Sequence, residues 1–219
     1  MSDLRIKKTK AKLAEALIEL LQQDSFEHIS VTDLCKTSGV SRITFYAYYD
    51  DKFELAAELF EEMRRTAEVI FGSLQKENNP GDDPAAGCLN LLDAVLDMQE
   101  QYHNISQRLL TEENAYLSFS YYQHVLRSTE ERSRRYVEEL SPIHPLQMTT
   151  GMICTGIWGF MRAGLQEQRR WGALRPAAET LLKGFLNDPV LFRRPAAVSG
   201  SAPEAEPSPI QTGKEDLNV

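Results

Sequence analysis

Helix start and stop signals follow one another at close intervals after Ile29, and they constrain the fold more than any other part of the chain. Ser30 stands three residues before Asp33, the spacing of a capping box at a helix start. Gly39 follows about two turns later, where a residue without a β-carbon can adopt the left-handed conformation that ends a helix. Ser41 is placed to cap the next helix. The pattern predicts two short helices joined by a tight turn, a helix-turn-helix.

The second of these helices carries side chains that suit a nucleic-acid surface. Its Phe45 is placed to return to the core, while the opposite face is polar and aromatic. That outward set consists of Arg42, Thr44 and Tyr46, with Ala47 and Tyr48 behind them. Such groups donate hydrogen bonds to phosphates and to base edges in a major groove. We therefore predict that this helix reads DNA.

A second capping-box spacing, Asp51 and Glu54, starts a longer helix. Lys52 then falls in its first turn, where its charge and the free backbone N–H groups can share a phosphate. We predict that Lys52 positions the protein on DNA without reading sequence.

The charge distribution is compatible with DNA binding although the net charge is -8. Residues 1–52 hold eight basic and eight acidic residues, so the remaining chain carries the whole acidic surplus. Near the N-terminus five basic residues oppose only Asp3: Arg5, Lys7, Lys8, Lys10 and Lys12. This cluster either lies against the phosphate backbone or is a solvated start of a helix.

The order of short motifs between Ile6 and Met63 resembles the TetR family of bacterial transcription regulators. The motifs are Val-Thr-Asp-Leu, Ser-Gly-Val-Ser-Arg, Thr-Phe-Tyr, Tyr-Tyr, Asp-Lys and Glu-Leu. The resemblance implies an all-helical (all-α) homodimer whose three N-terminal helices bind double-stranded DNA. It also implies a variable helical body that binds a small inducer and forms the dimer.

The resemblance also indicates which positions contact DNA. They are Thr32, Ser41, Arg42, Thr44, Tyr46, Tyr48 and Lys52. This chain has Tyr48 where His is common in the family, and Ala47 where a basic or larger polar residue is common.

Periodicity and breaks divide the chain into three parts. Residues 1–52 form the predicted DNA-binding domain, 53–194 a helical domain for ligand binding and dimerisation, and 195–219 a disordered tail rich in proline. The apolar pattern predicts a long helix over 52–76, and the Asn-Asn-Pro-Gly-Asp-Asp-Pro run at 78–84 predicts a loop.

The predicted dimer interface lies in the last two helices, residues 146–187. Four glycines interrupt the first of them, Gly151, Gly156, Gly159 and Gly164. Each costs about 1 kcal/mol relative to alanine, and close approach of another helix is the usual compensation. Pro176 is predicted to begin the second helix, and two such helices from each chain make a four-helix interface.

A ligand pocket is predicted from residues that share helical faces: Met98 with Tyr102, and Cys154 with Trp158 and Arg162. Its ligand would be a small apolar or aromatic effector, anionic if Arg162 faces inward; the alternative is ordinary core packing. Three separated cysteines and four dispersed histidines predict neither disulfides nor a metal site. No catalytic constellation and no cofactor motif is present, so an enzyme is disfavoured.

The sequence thus predicts a ligand-responsive repressor that binds a palindromic operator as a dimer. The alternative is an activator or partner-recruiting DNA-binding protein without a small-molecule inducer. No secretory signal follows the first residues, and the uncharged stretch 148–161 contains three threonines. We therefore predict a cytoplasmic protein without a membrane span.

Overall fold

The computed structural model describes residues 2–110 and 115–193, and this part of the chain is helical without a β-strand. The predicted all-α class is therefore confirmed. The predicted tail, 195–219, lies outside the described residues. The α-helices are α1 (Ser2–Leu21), α2 (Val31–Ser38), α3 (Arg42–Tyr46), α4 (Lys52–Asn78), α5 (Pro84–Gln101), α6 (His103–Leu110), α7 (Ala115–Tyr121), α8 (Arg127–Glu139), α9 (Leu146–Gln166) and α10 (Trp171–Leu186), with a π-helical segment (Tyr122–Leu126) between α7 and α8.

One apolar core holds the first four helices together and continues into the body. Leu13, Leu17 and Leu34 are fully buried in it beside Phe45. The same core includes Met98 of α5 and buried residues of α6, α7 and the π-helical segment. The N-terminal helices are thus packed on the body as well as on one another, and the predicted boundary at residue 52 stays a prediction.

Helix α4 connects the two ends of the molecule. Its 27 residues span about 40 Å at 1.5 Å per residue. Its first turns pack in the N-terminal core, while its last turn joins α5 and α8 through Gln75. The Gln75 amide donates to Tyr136 Oη at 2.9 Å, and its oxygen accepts from Asn79 and Asn90. These bonds fix the α4–α5 corner rigidly.

A second apolar core lies among α5, α8, α9 and α10. Leu96, Val137, Met161 and Ala178 are buried in it. At its edge Arg175 of α10 pairs with Asp93 and Asp97 of α5, which ties the last helix to the body.

Candidate DNA-binding surface and ligand cavity

The helix-turn-helix is defined by caps at the predicted positions. Ser30 Oγ accepts from the Asp33 amide, and the Asp33 carboxylate accepts from the Ser30 amide at 3.0 Å. Gly39 ends α2 with φ 69°, in the left-handed region. Ser41 then caps α3 by accepting from the Thr44 amide at 3.1 Å. Because every bond joins residues at most four apart, the sequence was sufficient to predict them.

Helix α3 is short and presents most of its surface to solvent. Phe45 is fully buried and anchors it, and the Tyr46 ring lies against Phe45 with centroids 5.5 Å apart. Arg42 is exposed and Tyr46 is 49% exposed. Thr44 is half-buried, and its hydroxyl bonds to Ser41 Oγ at 2.8 Å.

Two further features of this surface were not foreseen. Ile43 on α3 is 87% exposed, which is unusual for a large apolar side chain and places its methyl groups in solvent. Tyr48, by contrast, is half-buried against the N-terminal core. Thr32 is exposed on α2, as expected for a surface contact. Ile43 lacked a sequence signal because an apolar residue beside Phe45 is typical of a core position.

Lys52 is engaged by the protein itself. Its ammonium donates to the backbone carbonyls of Phe26, Glu27 and Ile29 at 2.7 to 2.9 Å. An ammonium has three N–H donors, so these bonds use all of them. The Phe26 ring lies 4.8 Å from the same nitrogen, and burial lowers the Lys52 pKa. The arrangement favours a role in holding the segment after α1 against the start of α4.

The basic residues of α1 are divided between protein and solvent. Arg5, Lys7, Lys8 and Lys12 are exposed. Lys10 instead pairs with Glu58 of α4 at 2.7 Å and lies over the Tyr49 ring. One of the five predicted phosphate-facing charges is therefore used to join α1 to α4.

An apolar cavity of about 70 Å³ lies in the body. It is lined by side chains of α5, α8, α9 and α10 together with Leu126 of the π-helical segment. Trp158 forms part of its wall and stacks on Tyr121, with ring centroids 5.3 Å apart and planes inclined by 28°. Tyr121 is fully buried, and its hydroxyl oxygen accepts from Gln99 Nε2 at 2.8 Å.

About a quarter of the chain resembles known regulators in sequence. YxbF, an uncharacterised helix-turn-helix-type transcriptional regulator of Bacillus subtilis, is 35% identical over 54 residues, which is 25% of this chain and 14% of YxbF. DhaS of Lactococcus lactis, a helix-turn-helix-type activator of the dhaKLM operon, is 36% identical over 53 residues, 24% of this chain and 28% of DhaS. The chain thus matches less than a third of either relative. No family model matches.

Most of the chain resembles solved regulator structures in fold. A protein assigned to the TetR family of transcriptional regulators, from Syntrophomonas wolfei, superposes with a TM-score of 0.68 over 82% of this chain and 95% of the other, at 16% identity. The chain has the TetR-family fold. The proteins that it resembles are transcriptional regulators and not enzymes.

The TetR-type body brings only part of the predicted pocket together. Cys154 and Trp158 line the cavity. Met98 is fully buried in the N-terminal core, and neither Tyr102 nor Arg162 is among the lining residues. On α5 the lining residues are spaced by three and four, as in Leu92, Val95, Leu96 and Gln99. Gln99 therefore lines the cavity where Met98 was expected.

The cavity lining also explains why Arg162 is displaced. On α9 the lining row runs through Cys154, Ile157, Trp158 and Met161. Because an α-helix has 3.6 residues per turn, residues spaced by four drift around the helix axis. Arg162, eight residues after Cys154, has therefore turned away from the cavity, and Met161, seven residues after Cys154, lines it. Gln99 was missed because a lone glutamine on an amphipathic helix carries no sequence signal for burial.

Across residues 2–110 and 115–193, no group of three or more His, Cys, Asp and Glu side chains is arranged to hold a metal ion. Over the same ranges, none of the helices combines the length and the apolar character needed to cross a bilayer.

Proposed function

We propose that this protein is a DNA-binding transcriptional regulator of the TetR type. The exposed face of α3 is the observation that carries the proposal, because it presents Arg42 and Tyr46 on a helix fixed by two caps and a buried anchor. The match of about a quarter of the chain to two helix-turn-helix-type regulators supports the same conclusion. In this proposal α3 enters a major groove.

The proposed contacts fall into two kinds. Arg42 and Tyr46 donate to base edges or phosphates, and Ile43 packs against thymine methyl groups, the apolar feature of a major groove. Thr32, together with the exposed basic residues of α1, contacts the phosphate backbone. Ser41 and Thr44 contribute chiefly by holding the start of α3, since their hydroxyls bond to each other.

We further propose a homodimer through α9 and α10. The outer face of α9 exposes Met148 (67%) and Met152 (43%) beside the exposed Gly156 and Gly159. A β-carbon on Gly159 would meet no atom within 4 Å in the described chain. Small and apolar residues on an exposed face support close packing of a second copy. Two α3 helices would then meet major grooves about 34 Å apart on a palindromic site.

The proposed ligand response connects the cavity to the N-terminal helices through the aromatic contacts of two α7 residues, Tyr121 and Tyr116. At the cavity, Tyr121 stacks on Trp158 and also lies edge-on against Phe60 of α4, 5.9 Å away. At the other end of α7, Tyr116 stacks on Phe26 and lies 4.7 Å from Phe53 at the start of α4. A ligand that moves α7 or α4 would change the placement of the reading helices and so shift the population of DNA-competent dimers.

The test of DNA binding is selection of genomic fragments by the purified protein, followed by affinity measurements against salt on the best fragment. A short palindrome retained at moderate salt is the expected result. Arg42→Ala should lower its affinity about fivefold or more, since a specific base contact contributes about 1–3 kcal/mol. The matched control is Arg127→Ala, which removes another exposed arginine, on α8. Equal affinities for Arg42→Ala and the parent protein would show that the reading surface is misassigned.

The second candidate function is activation or partner recruitment without a small-molecule ligand. It is favoured by the similarity of about a quarter of the chain to DhaS, which is an operon activator. A reporter gene placed behind the selected palindrome distinguishes the two. Loss of expression on deleting the regulator supports activation, whereas increased expression supports repression.

A further inference from the structure

The cavity in the body offers an uncharged surface to any ligand. None of its lining residues is an Asp, Glu, Lys, Arg or His. Thr129 and Ser133 use their hydroxyl protons on nearby backbone, donating to the carbonyls of Val125 in the π-helical segment and of Glu130 in α8, both at 2.9 Å. Burial raises the pKa of the Cys154 thiol to about 11, so it stays protonated at neutral pH. A ligand with a full charge would find no counter-charge in this lining.

Gln99 is the exception in this otherwise satisfied lining. It is 3% exposed, and its Nε2 donates to Tyr121 Oη at 2.8 Å. Its Oε1 is buried and has no hydrogen-bond partner in the described chain. Gln99 also borders an open groove beside Trp171, but the oxygen is shielded from solvent. A buried acceptor without a partner costs free energy, and a donor placed beside it recovers that cost.

The Gln99 amide faces Tyr121 at one end. Tyr121 is fully buried, and its ring stacks on Trp158. Gln99 Nε2 lies 2.8 Å from Tyr121 Oη, and Oε1 is the end of the amide that has no partner in the described chain. Trp158 and Gln99 line the same cavity, so a bound molecule can contact both side chains.

We propose that this cavity binds a neutral, largely apolar molecule that carries one hydrogen-bond donor, and that Gln99 Oε1 accepts from that donor. The inference rests on the ligand response proposed above and defines the chemistry of the ligand. It replaces the anionic ligand expected if Arg162 faced inward, because Arg162 is not part of the lining.

The size of the cavity adds a condition. About 70 Å³ is roughly half of the ~150 Å³ that holds a benzene molecule in an engineered protein cavity. A ring-sized ligand therefore needs more room than the cavity offers in this structure. Trp158 lines the cavity and stacks on Tyr121, which connects the cavity wall to α7.

The experiment is calorimetric titration of the full-length protein with four probes of similar ring size: phenol, anisole, toluene and benzoate. Phenol offers a donor, anisole an acceptor only, toluene neither, and benzoate a charge. We expect phenol, anisole and toluene to bind and benzoate not to bind. In Gln99→Met, which keeps the side-chain volume, the phenol-to-toluene affinity ratio should fall at least about fivefold, the loss that one hydrogen bond implies.

Two controls separate recognition from folding. Toluene affinity should be unchanged in Gln99→Met, and an equal loss for phenol and toluene would overturn the proposal by showing a structural role alone. Tyr121→Phe keeps the Gln99 amide, so the ratio should fall less there than in Gln99→Met.

The remaining outcomes are also decisive. A phenol-to-toluene affinity ratio that does not change in Gln99→Met overturns the proposal. So does a loss of anisole affinity without a loss of phenol affinity, because it would mean that the amide offers a donor to the ligand. Binding of benzoate, or of no probe at all, overturns it too. Operator binding measured on the same samples shows independently whether the proposed regulator function stands.

Discussion

At the residue scale, Lys52 is a test of whether a basic side chain near DNA serves the duplex or the protein. Its ammonium donates to three carbonyls of residues 26–29, so replacing it with methionine leaves those acceptors without their donor. Lys52→Met should lower the free energy of unfolding by about 1–3 kcal/mol, because hydrogen bonds to charged groups are worth that much. Urea unfolding of the variant and the parent measures the difference.

The matched control for Lys52 is Lys36→Met, which removes an exposed lysine of α2. Its unfolding free energy should stay within about 0.5 kcal/mol of the parent. The slope of operator affinity against salt should also be the same in Lys52→Met and in the parent. A slope reduced by about one unit at unchanged stability would instead assign Lys52 to a phosphate.

Cys88 and Cys154 both lie in the wall of the cavity. Burial raises their pKa values to about 12 and about 11. The reactive thiolate is therefore scarce at pH 8, and its fraction grows only as pH rises toward those values. Iodoacetamide at pH 8 should alkylate Cys88 and Cys154 at least about a hundredfold more slowly in the native protein than in urea. Mass spectrometry measures both rates. Rapid alkylation of either residue in the native state would favour a redox or sensing role.

Local residues were predicted well and distant ones poorly, for a physical reason. The capping bonds of Ser30, Asp33 and Ser41 join neighbours in sequence, so spacing alone indicates them. The bonds of Lys52 reach back 23 to 26 residues, and no periodic pattern encodes that distance. Gln99 was missed for the same reason, because its burial depends on Tyr121.

At the element scale, the α4–α5–α8 corner depends on a glycine. A β-carbon on Gly87 would overlap the ring of Tyr136, whose hydroxyl accepts from Gln75. Gly87→Ala should therefore destabilise the protein by about 1–3 kcal/mol, the usual cost of overpacking. Thermal and urea unfolding measure it.

A glycine in open space gives the opposite expectation. A β-carbon on Gly72 of α4 would meet no atom within 4 Å, so Gly72→Ala should stabilise by about 0.5–1 kcal/mol through helix propensity. The combination of Gly87→Ala with Tyr136→Ala tests the contact itself. It should cost clearly less than the sum of the single changes, and strict additivity would mean that the clash is elsewhere.

The last helix shows how an element boundary is misjudged. Pro176 was expected to begin α10, but the helix begins at Trp171 and Pro176 lies inside it. Proline is favoured in a first turn because its missing N–H has no intrahelical partner there, yet the preceding residues can also be helical. Gly164 does lie against α10, because a β-carbon there would overlap the Leu174 side chain.

At the scale of the whole molecule, the glycines of α9 divide between two tasks. Gly164 is used inside the chain, whereas Gly159 faces open space beside the exposed Met152 and Phe160. If that face is the dimer interface, a long cation there is incompatible with it. Gly159→Arg should therefore be a monomer. It should still fold, because arginine is a better helix former than glycine. Analytical ultracentrifugation and circular dichroism measure the two properties.

Dimerisation and DNA binding are coupled by geometry, so the same variant predicts an effect on the operator. A dimer loses its translational and rotational freedom once when it binds two half-sites, whereas two monomers lose theirs separately. The dimer therefore binds the palindrome with an affinity about a hundredfold or more higher. Gly159→Arg should therefore bind a full palindrome hardly better than a half-site, while half-site affinity stays that of the parent. Gly72→Arg, the same change on α4, should remain dimeric. A Gly159→Arg protein that is still dimeric and still prefers the palindrome would move the interface away from this face of α9.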